Sequence, residues 1–386
     1  MRTSVRLGRI RGIEIDASWS FFVITALVGM GLAYGVLPHL APRHAKWEYG
    51  LAGALTAVGF MATVAAHELA HATVARSQHI RPERISLWML GGVTKLEKEP
   101  ETARAETLIS ASGPLTSLGI GVVAAATSIG LSALHVVSLL AGSLAWLGAM
   151  NILLALLNLL PASPLDGGHL LHALVWKLTG KQLRAAAVAA RSGQVIGWAM
   201  VITGALASLY GFLAGLWIAL TGWMIASGAA VEGGRARTES ALFGLTAADV
   251  MIPTPIAIPG WLTVEAVMED GLAGPARPAL PVERWGGGLA GVVGLEQLYA
   301  LPKAERSRFR VIDLSWPIEE VPLVMEDDPA SDVVVRFQSQ SPWAVVLAPD
   351  GSTPVGVISG PALLARAAMW GHRRNNHNSS SATYPG

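Results

Sequence analysis

The chain reads as a polytopic α-helical membrane protein with six transmembrane helices, followed by a cytoplasmic α/β domain. Three observations carry this reading. Of 386 residues, 52% are hydrophobic and only 14% charged, against roughly 25% charged in an ordinary soluble domain. Several charge-free runs are long enough to cross a bilayer. The charge is also split, with residues 1–231 net +6 and residues 232–386 net −5. The absence of cysteine excludes disulfides, thiol catalysis and Cys-type zinc sites. The near-neutral balance leaves no footprint for nucleic acid.

The spans follow from the uncharged runs, since about 20 helical residues cross the hydrocarbon. Ala17–Leu37 is the first run. It follows four arginines but is longer than a signal-peptide core and lacks a small-x-small cleavage site, so it reads as a retained span. Leu51–Ala75 is the second, with Glu68 as its single formal charge. Thr107–Leu165 holds no charge over 59 residues and must fold as two spans, turning near Gly130–His135. Ser192–Val231 divides at Tyr210-Gly211 into two more. Trp19, Trp47, Trp88 and Trp176 suit interfacial anchoring in the lipid bilayer.

The loops give the orientation. Of the 16 Lys and Arg before residue 232, 14 fall on one side: four in 2–16, six in 76–106, and Lys177, Lys181, Arg184 and Arg191. Basic residues favour the cytoplasmic side. The expectation is a multi-pass cell-membrane protein with both termini cytoplasmic.

An ionisable group within a span is costly and is a functional candidate by default. The second span contains His67-Glu68-Leu69-Ala70-His71, an H-E-x-x-H motif. Residues four apart share a helix face, so His67 and His71 can offer imidazoles to one zinc ion, with Glu68 beside them as a base. The bland alternative is a pair of histidines that hydrogen-bond between helices.

A catalytic zinc takes three protein ligands and keeps one open position. Between Thr107 and Trp176 the one charged residue is Asp166, within Asn158-Leu159-Leu160-Pro161-Ala162-Ser163-Pro164-Leu165-Asp166-Gly167-Gly168-His169. The two prolines break the fourth span, as is tolerated where backbone lines a cavity. Asp166 reads as the third ligand or, alternatively, as the cap of the following helix. His169 and His172 are rival ligands.

Together, H-E-x-x-H and Asn158…Pro161…Asp166-Gly167 resemble the site-2 proteases, the intramembrane zinc metalloproteases, over residues 1–231. The resemblance implies one zinc ion per chain on His67, His71 and Asp166, with Glu68 as general base and Asn158 holding substrate or the oxyanion. Ser112-Gly113-Pro114 in the third span also resembles a family feature, with small residues permitting close helix contact. The implied partner is a single-pass membrane protein, such as a membrane-anchored regulator.

Residues 85–96 alternate apolar positions around Gly91-Gly92 and read as a membrane-associated β-hairpin. An open strand edge there could hold an unwound substrate by β-augmentation. The alternative is an interfacial loop without substrate contact.

Residues 232–245 read as a polar linker and 246–370 as a twofold repeat. Ala279–Val282, Leu289–Gly294, Trp343–Leu347 and Pro354–Ser359 read as strands, while Leu295–Leu301, Ala330–Ser339 and Pro361–Met369 read as helices. The repeat resembles a tandem of cystathionine-β-synthase-type (CBS) domains, which implies a regulatory or homodimerising module. The pattern Gly-apolar-apolar-Thr/Ser-x-x-Asp, which contacts nucleotide in such domains, lacks its Asp in both copies, with Gln297 and Ala362 in its place. Adenylate binding is therefore not expected. Residues 371–386 read as a disordered tail.

Two other functions compete with the protease reading. A CBS-gated transporter should place polar groups along a path through several spans, yet the first, fifth and sixth spans are bare. A catalytically inactive membrane-protein binder would be expected to have lost Glu68.

Overall fold

The computed structural model describes residues 4–10, 12–89, 91–134, 138–254, 256–272, 274, 277–336, 341–360 and 363. Contacts divide the chain into units 1–234 and 235–386.

Among the described residues, six helices are long and apolar enough to span, as the uncharged runs predict. The first, Trp19–Leu40, comprises α1 (Trp19–Gly31), a π-helical stretch (Leu32–Val36) and α2 (Leu37–Leu40). The others are α3 (Lys46–Ser77), α4 (Ala103–Ala133), α5 (Ser138–Asn158), α7 (Gln182–Leu209) and α8 (Ala214–Leu242). A shorter helix, α6 (Asp166–Thr179), lies between α5 and α7. Several helices run past the uncharged stretches, since long basic side chains at helix ends can reach the interface. Small residues let the spans approach closely. A Cβ on Gly121 would stand 3.1 Å from the Gly148 carbonyl oxygen, and one on Gly197 2.7 Å from that of Gly222.

The expected hairpin is present as β3 (Pro82–Trp88) and β4 (Gly91–Leu96). Gly91 and Gly92 do not form its turn but open β4, paired with Trp88 and Leu87. The hairpin is half of a four-stranded sheet. Its other strands are β1 (Ser4–Ile10) and β2 (Ile13–Ser18), from the segment read only as a basic N-terminus. Pairing is antiparallel for β1–β2 and β3–β4 and parallel for β2–β3, which leaves β4 at an edge. Ile13, Ile15, Ile85 and Leu87 pack on Met61, Ala65, Leu69 and Ala72, a stripe of α3 at spacings of three and four. The sheet is thereby fixed beside the H-E-x-x-H motif.

Residues 232–245, expected as a linker, are helical as far as Leu242. Polar composition alone does not end a helix, and Arg235 and Glu239 form an i,i+4 ion pair across this stretch.

Among the described residues, the second unit contains two four-stranded sheets. One is built from β6 (Ile258–Pro259), β7 (Ala279–Glu283), β8 (Leu289–Gly294) and β9 (Trp316–Pro317). The other orders β10 (Leu323–Met325), β11 (Trp343–Leu347), β12 (Pro354–Ser359) and β5 (Ile252–Pro253). Each repeat thus lends its leading strand to the other's sheet, β5 to β12 and β9 to β8. The predicted helices appear at Leu295–Ala300 and Ala330–Arg336. Those expected over 337–339 and 361–369 and the tail at 371–386 lie outside the described residues, Leu363 excepted. Buried Ala279, Val292, Val345 and Val357 form one core shared by both repeats.

Candidate metal centre

The stripe that packs on the sheet turns another face of α3 towards α4. His67 and His71, one turn apart on that face, are both buried. Their Nε2 atoms lie 3.1 Å apart. The Asp166 carboxylate reaches His67 Nε2 at 3.2 Å and His71 Nε2 at 3.3 Å. Among the described residues this trio is the one group of His and acidic side chains placed to hold a metal ion.

The far side of each ring fixes its orientation. His71 Nδ1–H donates to the Ile109 carbonyl oxygen at 2.8 Å, and His67 Nδ1 bonds Ser117 Oγ at 2.9 Å. A carbonyl only accepts, so the His71 proton sits on Nδ1 and Nε2 of the neutral ring presents its lone pair. With the His71 Nε2 lone pair 3.3 Å from the Asp166 carboxylate, the two repel unless a cation lies between them. The donor set, two His and one carboxylate, suits a catalytic zinc ion with an open position. Gly113 completes the cradle. A Cβ there would stand 2.2 Å from His71 Nε2 and 2.5 Å from His67 Nε2, so any side chain would fill the space before the nitrogens. Pro114 is buried within α4 directly after it.

Asp166 comes from the other side of the centre. The loop 159–165 folds back on the start of α6. A Cβ on Gly167 would meet the Leu160 carbonyl oxygen at 2.1 Å, and one on Gly168 the Ser163 nitrogen at 2.4 Å. The last two spans clamp this loop: Ser192 Oγ donates to the Pro161 carbonyl, and the Ser163 hydroxyl donates to Glu232. Asp166 is the first residue of α6, with Leu165 as the N-cap, so its carboxylate turns to the histidines and not to a cap.

The rival ligands lie elsewhere. His172 Nδ1 is 2.8 Å and His169 Nδ1 3.5 Å from the buried Glu106 carboxylate of α4. Asn158 ends α5 half-buried. No hydrogen bond ties its side chain to the trio among the described residues. Glu68, next to His67 in the chain, packs against β4, where Thr94 Oγ1 donates to Oε2 at 2.7 Å.

Comparison with known proteins bears on this centre. The model of peptidase family M50 matches residues 55–143 and 133–202, which include His67, Glu68, His71, Asn158 and Asp166. Rip3 of Mycobacterium tuberculosis, which carries a zinc metalloprotease name, is 36% identical over 368 residues, covering 95% of this chain and 93% of its own. The chain belongs to peptidase family M50. It is accordingly a multi-pass intramembrane metalloprotease that uses zinc. Among solved structures, the site-2 protease from Methanocaldococcus jannaschii is 27% identical with TM-score 0.41, covering 60% of this chain and 95% of that one. The CBS domain of a bacterial CNNM/CorC family Mg2+ transporter, in complex with ATP, is 17% identical with TM-score 0.28, covering 35% and 97%.

Of the residues around this M50 peptidase's ligands, sequence reasoning singled out Gly113 but not Ile109, Ser117, Glu106 or Thr94. Ile109, Gly113 and Ser117 stand four apart and line the α4 face that meets the histidines. That ladder was readable as a helix face, but nothing marked it as the partner of α3. Glu106, at the edge of the charge-free run, and Thr94 carried no local signal at all.

Proposed function

We propose that this M50 peptidase is an endopeptidase that cuts a transmembrane or membrane-proximal segment of a single-pass regulatory protein, with its active site open to the cytoplasm. The convergence of His67, His71 and Asp166 around Gly113, with Glu68 one residue away, carries this reading. His67, His71 and Asp166 are the ligands of one zinc ion, which when bound supplies Lewis-acid polarisation of water and of the scissile carbonyl. Ser117 and the Ile109 carbonyl keep both Nε2 atoms aimed at the ion. Glu68 takes a proton from the attacking water and passes it to the leaving amine nitrogen. Asn158 steadies the developing oxyanion. The free edge of β4, beside Glu68, receives the unwound substrate as an added strand.

The 14-to-2 split of basic residues supports a plasma-membrane chain with both termini in the cytoplasm. The CBS-like unit acts there in regulation or homodimerisation. Glu68→Gln retains zinc and loses cleavage on the order of 10²–10⁴-fold, because an amide cannot accept the proton. Proteomics of membranes carrying wild type or Glu68→Gln checks the function: a single-pass protein should accumulate only with the variant. Identical proteomes together with undiminished turnover by the purified variant would refute the role of Glu68 as base.

A further inference from the structure

Successive strand residues face opposite sides, so Gly92 and Thr94 of β4 share one face. Glu68 lies against that face and is buried. Thr94 Oγ1 donates to Glu68 Oε2 at 2.7 Å and lies 3.2 Å from the Glu68 carbonyl oxygen. At Gly92 a Cβ would stand 2.4 Å from Glu68 Cγ, 2.8 Å from Cδ and 3.0 Å from Oε1. The stem of the glutamate therefore crosses the strand at a position without a side chain, and its carboxylate ends on the hydroxyl two residues further along.

This arrangement answers a question that the helix alone leaves open. The helix backbone fixes His67 and His71 on one face, and each ring is held again by Ser117 or Ile109. Glu68 projects about 100° round from His67, and its long side chain has several rotamers available. The second anchor for its carboxylate comes from the sheet and not from the helix bundle.

We propose that Thr94 is a positioning residue for the general base, with Gly92 leaving the room that this position requires. The proposal rests on the reading of Glu68 as base. It also ties the base to the strand proposed to receive substrate, so a segment added to β4 lies on the element that aims the carboxylate.

The test uses purified full-length enzyme and fluorescein-labelled casein, an unfolded probe that needs no helix unwinding, with kcat, KM and bound zinc measured for each variant. Thr94→Val keeps the β-branched shape and removes the donor. Its kcat should fall at least about 10-fold, since roughly 1 Å of misplacement can cost 10²-fold, while KM and zinc content stay within about twofold. Thr94→Ser, which keeps the hydroxyl, should recover most of the lost kcat. Gly92→Ala should lower kcat with zinc retained, because its methyl group displaces the Glu68 stem.

Wild-type kcat in Thr94→Val would overturn the proposal. So would equal impairment in Thr94→Val and Thr94→Ser, or a change confined to KM, which would make β4 a docking edge alone. If Thr94→Val loses its fold, as read from melting and zinc content, Thr94→Ser against Thr94→Ala carries the same comparison. An active Glu68→Gln would refute the underlying reading of Glu68 as base; an inactive Glu68→Gln beside a fully active Thr94→Val refutes only the role of Thr94.

Discussion

His71 and Ile109 are joined across two spans by a 2.8 Å hydrogen bond from an imidazole Nδ1–H to a backbone carbonyl oxygen. The bond selects the tautomer whose Nε2 can bind metal, and Ser117 Oγ stands in the corresponding place behind His67. Replacing a ligand's outer hydrogen-bond partner typically costs roughly 10- to 100-fold in metal affinity. Ser117→Ala should weaken zinc binding by about that factor while leaving the fold intact, as measured by competition with a chelator of known affinity. Unchanged affinity would remove Ser117 from the centre.

Gly113→Ala should abolish zinc binding more completely than Ser117→Ala, although it adds a single methyl group. That methyl would stand 2.2 Å from one ligand nitrogen and 2.5 Å from the other. Metal analysis of the purified variant, with circular dichroism to show that the helices remain, decides the point. Full zinc occupancy would mean that α4 can retreat from α3 at no cost to the site.

Asp166→Ala should lower zinc occupancy, since it removes one of three protein ligands and their formal charge. His169→Ala and His172→Ala should keep the metal, because both rings face Glu106. The three variants measured side by side separate the possibilities, and an empty His169→Ala beside a loaded Asp166→Ala would reverse the assignment.

Topology can be read by cysteine labelling, since the chain contains no cysteine. Lys46→Cys, at the start of α3, should react with an impermeant maleimide from outside, and Glu97→Cys, just beyond β4, only after access to the cytoplasm. The opposite labelling would invert the orientation proposed from the basic loops.

Full-length protein should show no micromolar affinity for ATP, ADP or AMP by calorimetry. At the place of the ribose-binding carboxylate, Gln297 caps its own helix, its Oε1 accepting from Gly294 N–H at 2.8 Å. The glycine that opens this pattern also has a local reason: a Cβ on Gly291 would stand 2.0 Å from the carbonyl oxygen of Trp316 in the exchanged β9. Ala362, in the second copy, lies outside the described residues. Loss of a charge-assisted hydrogen bond costs about 1.5–3 kcal/mol, or roughly 10- to 150-fold in affinity. Micromolar binding would mean that other groups replace the missing carboxylates.

The number of spans and the pairing of His67 with His71 were legible in the sequence because both are local. Charge-free length sets a span, and four-residue spacing puts two histidines on one face. Asp166 was legible because it stands nearly alone among charges in that stretch, although its rivals His169 and His172 could be dismissed only once Glu106 was seen beside them. β1 and β2 were not legible. Their sequence, Ser4–Ser18, mixes charge with apolar residues, and a parallel partner 70 residues away leaves no local trace. The role of Thr94 was hidden for the same reason, since it arises from tertiary packing and not from spacing along the chain.

Every proposed ligand precedes residue 170, yet the loop that presents Asp166 is clasped by Ser192 and Glu232 from the last two spans. Those spans contribute no atom to the metal, but they act as the jaws of a vice on the aspartate's approach. A chain cut after α6 would retain all three donors but lose both clasps on the loop that presents Asp166, and should hold zinc more weakly than one that runs past residue 232.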